Sequence, residues 1–192
     1  MAERLGDRLR RIVHGRSVTD GRKQQDQDDR GDEADQPPHA RSPHEGGARP
    51  AGMRSYPGDY VGVPAMAYAP QPDGYPDPGE VVWTWVPFEE DTAVGKDRPV
   101  LLVGHDGDWL LGVMLTSKDH NRDRADDRAE GREWMDVGAG AWDSKGRPSE
   151  ARTDRIIRVD PGSVRREGAV LDVEVFEAVT HAIRAAHDRG LL

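Results

Sequence analysis

Residues 79–117 read GEVVWTWVPFEEDTAVGKDRPVLLVGHDGDWLLGVMLTS. Three apolar runs rich in β-branched and aromatic residues stand out: Val81–Phe88, Pro99–Gly104 and Trp109–Leu115. Such residues fill a pleated, half-buried surface, so each run is expected to be a strand. Pro87 ends the first or marks an edge, and Pro99 is expected to open the second, because a mid-strand proline loses a ladder hydrogen bond. The turn residues His105-Asp-Gly-Asp108 predict a hairpin between the second and third runs. Polar groups close the strand ends, with Arg98 just before Pro99 and Thr116-Ser117 after the third run. A cation and a hydroxyl held at neighbouring strand ends can converge on a phosphate.

Toward the C-terminus the pattern continues. A charged loop over Lys118–Gly131 precedes a strand at Arg132–Val137, a Gly-rich loop at Gly138–Pro148 and an alternating stretch, Arg152–Val159, read as one further strand. Asp160-Pro161-Gly162-Ser163 is a helix-start signal, with a single turn expected at Val164–Arg166. Asp172 can cap a last helix whose apolar face is Val175, Phe176, Val179, Ile183 and Ala186, and Gly190 follows its end. Short, mostly antiparallel strands followed by one helix make a mainly β domain over 79–192. The expected architecture is a small SH3-like barrel, or a strongly bent sheet, closed by the helix.

Residues 1–78 are of another kind. Leu5, Leu9, Ile12 and Val13 give residues 2–13 helical spacing, with arginines opposite. This predicts a short amphipathic segment, either frayed or docking on a partner or membrane surface. From Ser17 to Arg54 the chain is polar, with many Asp, Gln, Pro and Gly, and is expected to be disordered. Tyr56–Pro78 carries tyrosines between prolines and glycines; it reads as a linker in preference to an arm laid on the domain.

The 192-residue chain is 35% hydrophobic and 33% charged, with a net charge of −9 and a mean hydropathy of −0.82. The acidic balance argues against a bulk nucleic-acid coat, though not against a small basic cleft. With no cysteine there is neither a disulfide framework nor a thiolate metal site. No apolar run approaches the roughly 20 residues of a bilayer span. No signal peptide is read at the N-terminus, so the cytoplasm is the expected compartment and no stable membrane insertion is expected.

The seven histidines show no HExxH pair, and P-loop, GxGxxG and GxSxG patterns are absent. No cofactor is therefore expected. Arg, Thr/Ser, Asp and His remain, and they suffice for metal-independent cleavage of RNA. In that reaction the 2′-hydroxyl attacks the adjacent phosphorus and the 5′-oxygen leaves, while the protein positions the phosphate, moves two protons and neutralises the phosphorane.

GEVVWTWVPF, RPVLLV, GVMLTS and RTDRIIRVD, in that order and followed by a helix, resemble the PemK/MazF family of toxins, the mRNA interferases of type II toxin–antitoxin systems. The resemblance covers residues 79–192. It implies an SH3-like barrel, a homodimer, and sequence-selective cleavage of single-stranded RNA to 2′,3′-cyclic phosphate and 5′-hydroxyl ends. It also implies a cognate antitoxin that inserts an acidic segment into the RNA groove, with DNA reached only through the antitoxin complex. By the same resemblance Arg98 in Asp-Arg-Pro-Val acts on the scissile phosphate and Thr116 in Met-Leu-Thr-Ser stabilises the transition state. Arg152 and Asp154 in Arg-Thr-Asp-Arg match an acid–base pair of some members; Lys96, Ser117, Lys118 and His120 are candidate RNA contacts.

The chain departs from the family in three places. Thr92–Asp97 replaces a Gly-x-x-Gln loop, Asp119–Gly131 is an acidic insertion beside the expected site, and the 78-residue leader is unusual. These keep a second reading open, a non-catalytic barrel that binds DNA or a protein target as a growth inhibitor or regulator.

Overall fold

The computed structural model describes residues 46–117, 131–165 and 169–192. The expected helix at 2–13, most of the polar leader, and residues 118–130 with Lys118 and His120 lie outside them. In chain order the elements are β1 (Gly47–Ala48), β2 (Val81–Pro87), β3 (Val94–Asp106), β4 (Trp109–Thr116), β5 (Trp134–Gly138), β6 (Ser149–Arg152), β7 (Ile157–Val159), a 3-10 turn at Pro161–Ser163 and helix α1 (Val173–Asp188).

The expected mainly β architecture with a C-terminal helix is what the chain forms. All pairings are antiparallel. β3 carries β2 along one flank; the other flank meets β1 at Val94–Gly95 and β4 from Val100 onward. β4 in turn pairs with β7 through Leu110–Gly112 and with β6 through Leu115–Thr116. Because β4 serves three strands in eight residues, the sheet has to bend along it.

The apolar runs are continuous because both faces of the sheet are covered. Val81, Leu101, Val103, Leu111, Val113 and Leu115 pack with Phe176, Val179 and Ile183 of α1. The alternate residues Val82, Val86, Val100, Leu102, Leu110 and Met114 form a second layer with Ile157 and Val159. The β3–β4 hairpin forms as expected, its two-residue turn being Gly107-Asp108, with Gly107 at φ +60°. Asp172 caps α1 by accepting from Glu174 N at 2.9 Å, and Gly190 follows the helix at φ +77°.

Four local expectations are corrected. The second strand starts at Val94, not Pro99, so Pro99 lies within β3 opposite Trp83. Leu102 N donates to Glu80 O at 2.9 Å and Leu102 O accepts from Gly79 N. By alternation the amide position of Pro99 faces away from β2, where no ladder bond is lost. The stretch 152–159 is two strands, β6 and β7, because a turn at Thr153–Asp154 breaks the alternation. A single 3-10 turn forms at Pro161–Ser163, started by Asp160, whose carboxylate accepts from Gly162 N; Val164 is already extended, and Arg166 of the turn expected at 164–166 lies outside the described residues.

The fourth correction concerns residues 56–78, which are an arm on the domain instead of a linker. Tyr60 N donates to Ile156 O at 2.8 Å, Met66 bridges Gly104, and Tyr68 Oη donates to Leu171 O at 2.8 Å while its ring meets Phe176 edge-on. The isolated tyrosines that broke any periodic pattern are the arm's contacts with the core.

Gly104 is where the arm comes closest. A Cβ there would stand 2.6 Å from the carbonyl oxygen of Ala65. Gly104→Ala should therefore cost about 1–3 kcal/mol, as overpacking does. Amide hydrogen exchange should rise first over residues 60–68 while the β3–β4 hairpin keeps its protection; unchanged exchange in the arm would contradict this close approach.

Candidate active site

Val100 pairs with Met114 across β3 and β4. Two residues further along each strand stand Arg98 and Thr116. Alternation puts them on the same face as Val100 and Met114, at one end of the second apolar layer. Beyond that pair the strands part. Leu115 and Thr116 pair with Ala151 and Glu150 of β6, and among the described residues no strand pairs with Lys96–Pro99 on the flank away from β2. The two candidates thus border one gap on a common face, each half-buried.

Arginines crowd this gap. Arg152, at the end of β6, and Arg155, before β7, are 8% and 6% exposed. Arg152 grips Asp154 through Nε at 3.1 Å and Nη2 at 2.8 Å, and it also ion-pairs with Glu89. The other Asp154 oxygen accepts from Glu133 N at 2.7 Å. Arg155 donates from Nε to Asp59 at 2.8 Å and from Nη1 to Pro87 O at 3.0 Å, and it lies 3.6 Å from the same Glu89 oxygen that pairs with Arg152.

Arg98 differs from both. Burial lowers its pKa, and the charges of Arg155 and then Arg152 lower it further. Lys96, two residues away on the same face, is lowered by burial and then by Arg98. Burial also acts against the charge of Arg152, but its hydrogen bond and charge contact with Asp154, helped by Glu89, outweigh that and raise its pKa. A guanidinium kept partly desolvated among other cations would be relieved by an arriving anion, which is how a preorganised phosphate site works.

Among the expected site residues, the structure brings Arg98, Lys96, Arg152 and Asp154 into one charged group and sets Thr116 at its edge. Ser117 is half-buried just beyond β4. Sequence reasoning missed Arg155, Glu89 and Asp59. Arg155 stood in the quoted Arg-Thr-Asp-Arg motif, but its role depends on Asp59, 96 residues away.

A family model for PemK-like, MazF-like toxins of type II toxin–antitoxin systems matches residues 77–187, more than half of the chain. No curated protein matches it. Solved structures similar to it include MazE-MazF (Form-II) from Deinococcus radiodurans, at 18% identity and a TM-score of 0.42, covering 60% of this chain and 98% of that one. Toxin MazF-mt6 of Mycobacterium tuberculosis is 16% identical with a TM-score of 0.37, covering 56% and 96%. With the motifs around Arg98, Thr116 and Arg152 all inside the matched residues, the chain belongs to the PemK-like, MazF-like toxins of type II toxin–antitoxin systems.

Proposed function

We propose that this toxin is an endoribonuclease that cuts single-stranded RNA at its internal phosphodiesters without a metal ion, and that a cognate antitoxin silences it. The observation that carries the reading is the placement of Arg98 and Thr116 on one face across the β3–β4 gap, with Arg152 and Arg155 beside Arg98. The arginine fork of Arg98 engages the non-bridging oxygens, and the Thr116 hydroxyl donates to the phosphorane as charge grows there. The new bond joins the 2′-oxygen to phosphorus and the bond to the 5′-oxygen breaks, leaving a 2′,3′-cyclic phosphate and a 5′-hydroxyl.

Asp154 has both oxygens engaged by Arg152 and Glu133 N, so it orients Arg152. Arg152 adds positive charge beside the phosphate. Glu89, with a side chain 34% exposed and held between Arg152 and Arg155, takes the proton of the 2′-hydroxyl, and a solvent water gives a proton to the departing 5′-oxygen. Lys96, Ser117, Lys118 and His120 follow the RNA backbone. The protein acts in the cytoplasm as a homodimer, and the antitoxin presents carboxylates to the same cations.

The acidic insertion and the full engagement of Asp154 favour, as a second reading, a barrel that binds a DNA or protein target without cutting RNA. Expression in cells separates the two. Arrest of growth with fragmented mRNA, abolished by Arg98→Ala, fits the nuclease; arrest that survives the substitution with intact mRNA fits the binding module.

In vitro, cleavage of a long defined RNA in EDTA should yield cyclic-phosphate ends. Arg98→Ala should lower the rate about 10²–10³-fold, the usual cost of removing one donor to a developing charge. Loss of cutting on chelation would overturn the mechanism. Asp154→Asn should behave differently, because one partner is removed from a buried ion pair. A destabilisation of roughly 3–5 kcal/mol is expected in denaturant unfolding, and a variant as stable as the parent would refute the clamp. Sedimentation should show a dimer.

A further inference from the structure

Residues 56–60 lie outside the region the family model matches, yet they dock on the arginine group. The carboxylate of Asp59 faces the Arg155 fork squarely, Oδ2 accepting from Nε at 2.8 Å and Oδ1 from Nη2 at 3.2 Å. That two-point geometry is the one a guanidinium offers to a phosphate. Tyr56 Oη donates to the same carboxylate and holds it in place. The neighbouring backbone is fastened to the strand that follows Arg155. Arg158 Nη1 donates to Gly58 O and Asp59 O, each at 2.8 Å, and Tyr60 N donates to Ile156 O. Beyond Tyr60, Val61 is 80% exposed, before the arm docks again at Met66. Gly58, within the docked piece, and Gly62, just after it, stand at φ +100° and +96° with open space around them.

We propose that residues 56–60 are an intramolecular strap whose Asp59 carboxylate occupies, on Arg155, the place of a nucleic-acid phosphate, so that the arm competes in cis with the RNA backbone. The inference rests on reading the arginine group as a phosphate site. Arg155 is 6% exposed with the strap down, and Asp59 and Glu89 both draw on its charge. Lifting the strap uncovers the fork beside Arg98 and removes one carboxylate from the path of the incoming anion. The apparent affinity for phosphate is then reduced by the fraction of molecules whose strap is down.

The test uses the full chain and two probes, inorganic phosphate and a short single-stranded RNA. Phosphate binding is followed by arginine Nε–H resonances, and RNA binding and cutting by fluorescence. Asp59→Asn keeps the shape and removes the charge. Tyr56→Phe loosens the carboxylate's support and decides the matter should the first variant not fold. Both should bind phosphate more tightly, Asp59→Asn on the order of tenfold and Tyr56→Phe less, with Arg98→Ala cancelling the gain. Folded variants that bind phosphate no better than the parent overturn the strap, even if RNA is still cut. Tighter phosphate binding without Arg98-dependent binding or cutting of RNA upholds the competition for anions and defeats the nuclease reading instead.

Discussion

The divergence of β3 and β4 beyond the Val100–Met114 pair is the constraint on which the site depends. Had the ladder continued in register, Arg98 and Thr116 would stand directly opposite and the gap between them would be closed by backbone hydrogen bonds. Instead β4 gives its last two residues to β6. The exchange bends the sheet and leaves the β3 segment from Lys96 to Pro99 bordering a gap. It also draws the end of β6, with Arg152, to the same place. The end of the β3–β4 ladder and the β4–β6 pairing thus lie together, with Arg98 and Arg152 near them.

The charges in that cleft form a graded series. Arg152 is answered twice over, by Asp154 and Glu89, and is fixed. Arg155 is answered by Asp59 from the arm and shares Glu89. Arg98 meets chiefly other cations. In a partly desolvated setting a charge that meets chiefly like charges among the described residues costs more than in water, and on the proposed reading an anion at Arg98 would relieve it. The acidic net charge of the whole chain is no obstacle, because the field within the cleft is set by these few neighbours.

Much of this was legible in the chain. Apolar runs and the turn residues around Gly107 pointed to the three central strands, and Asp172 with the spaced Phe176, Val179 and Ile183 to the helix. Arg98 and Thr116 were singled out as candidates because they adjoin apolar runs and match a family motif. The rest depended on long-range pairing, which local patterns do not encode. Tyr56–Pro78 looked like a linker because its contacts are single tyrosines and glycines, each meeting a residue tens of positions away. Pro99 was read as a strand start since a proline's tolerance depends on which neighbour its nitrogen faces. The turn at Thr153–Asp154 hid inside an alternating stretch, where the bond between Arg152 and Asp154 replaces strand geometry.

Pro99 has one more consequence. Among the described residues no strand pairs with the flank of β3 between β1 and β4, and an unpaired β-edge is a template on which a foreign strand, or the same strand of another molecule, can assemble. Within Lys96–Pro99 the alternation turns only the backbone groups of Asp97 and Pro99 outward, and proline has no hydrogen to offer. A visiting strand would find a single donor there. The imino acid thus makes this sheet margin a poor partner for the edge-to-edge pairing that an unpaired strand otherwise invites.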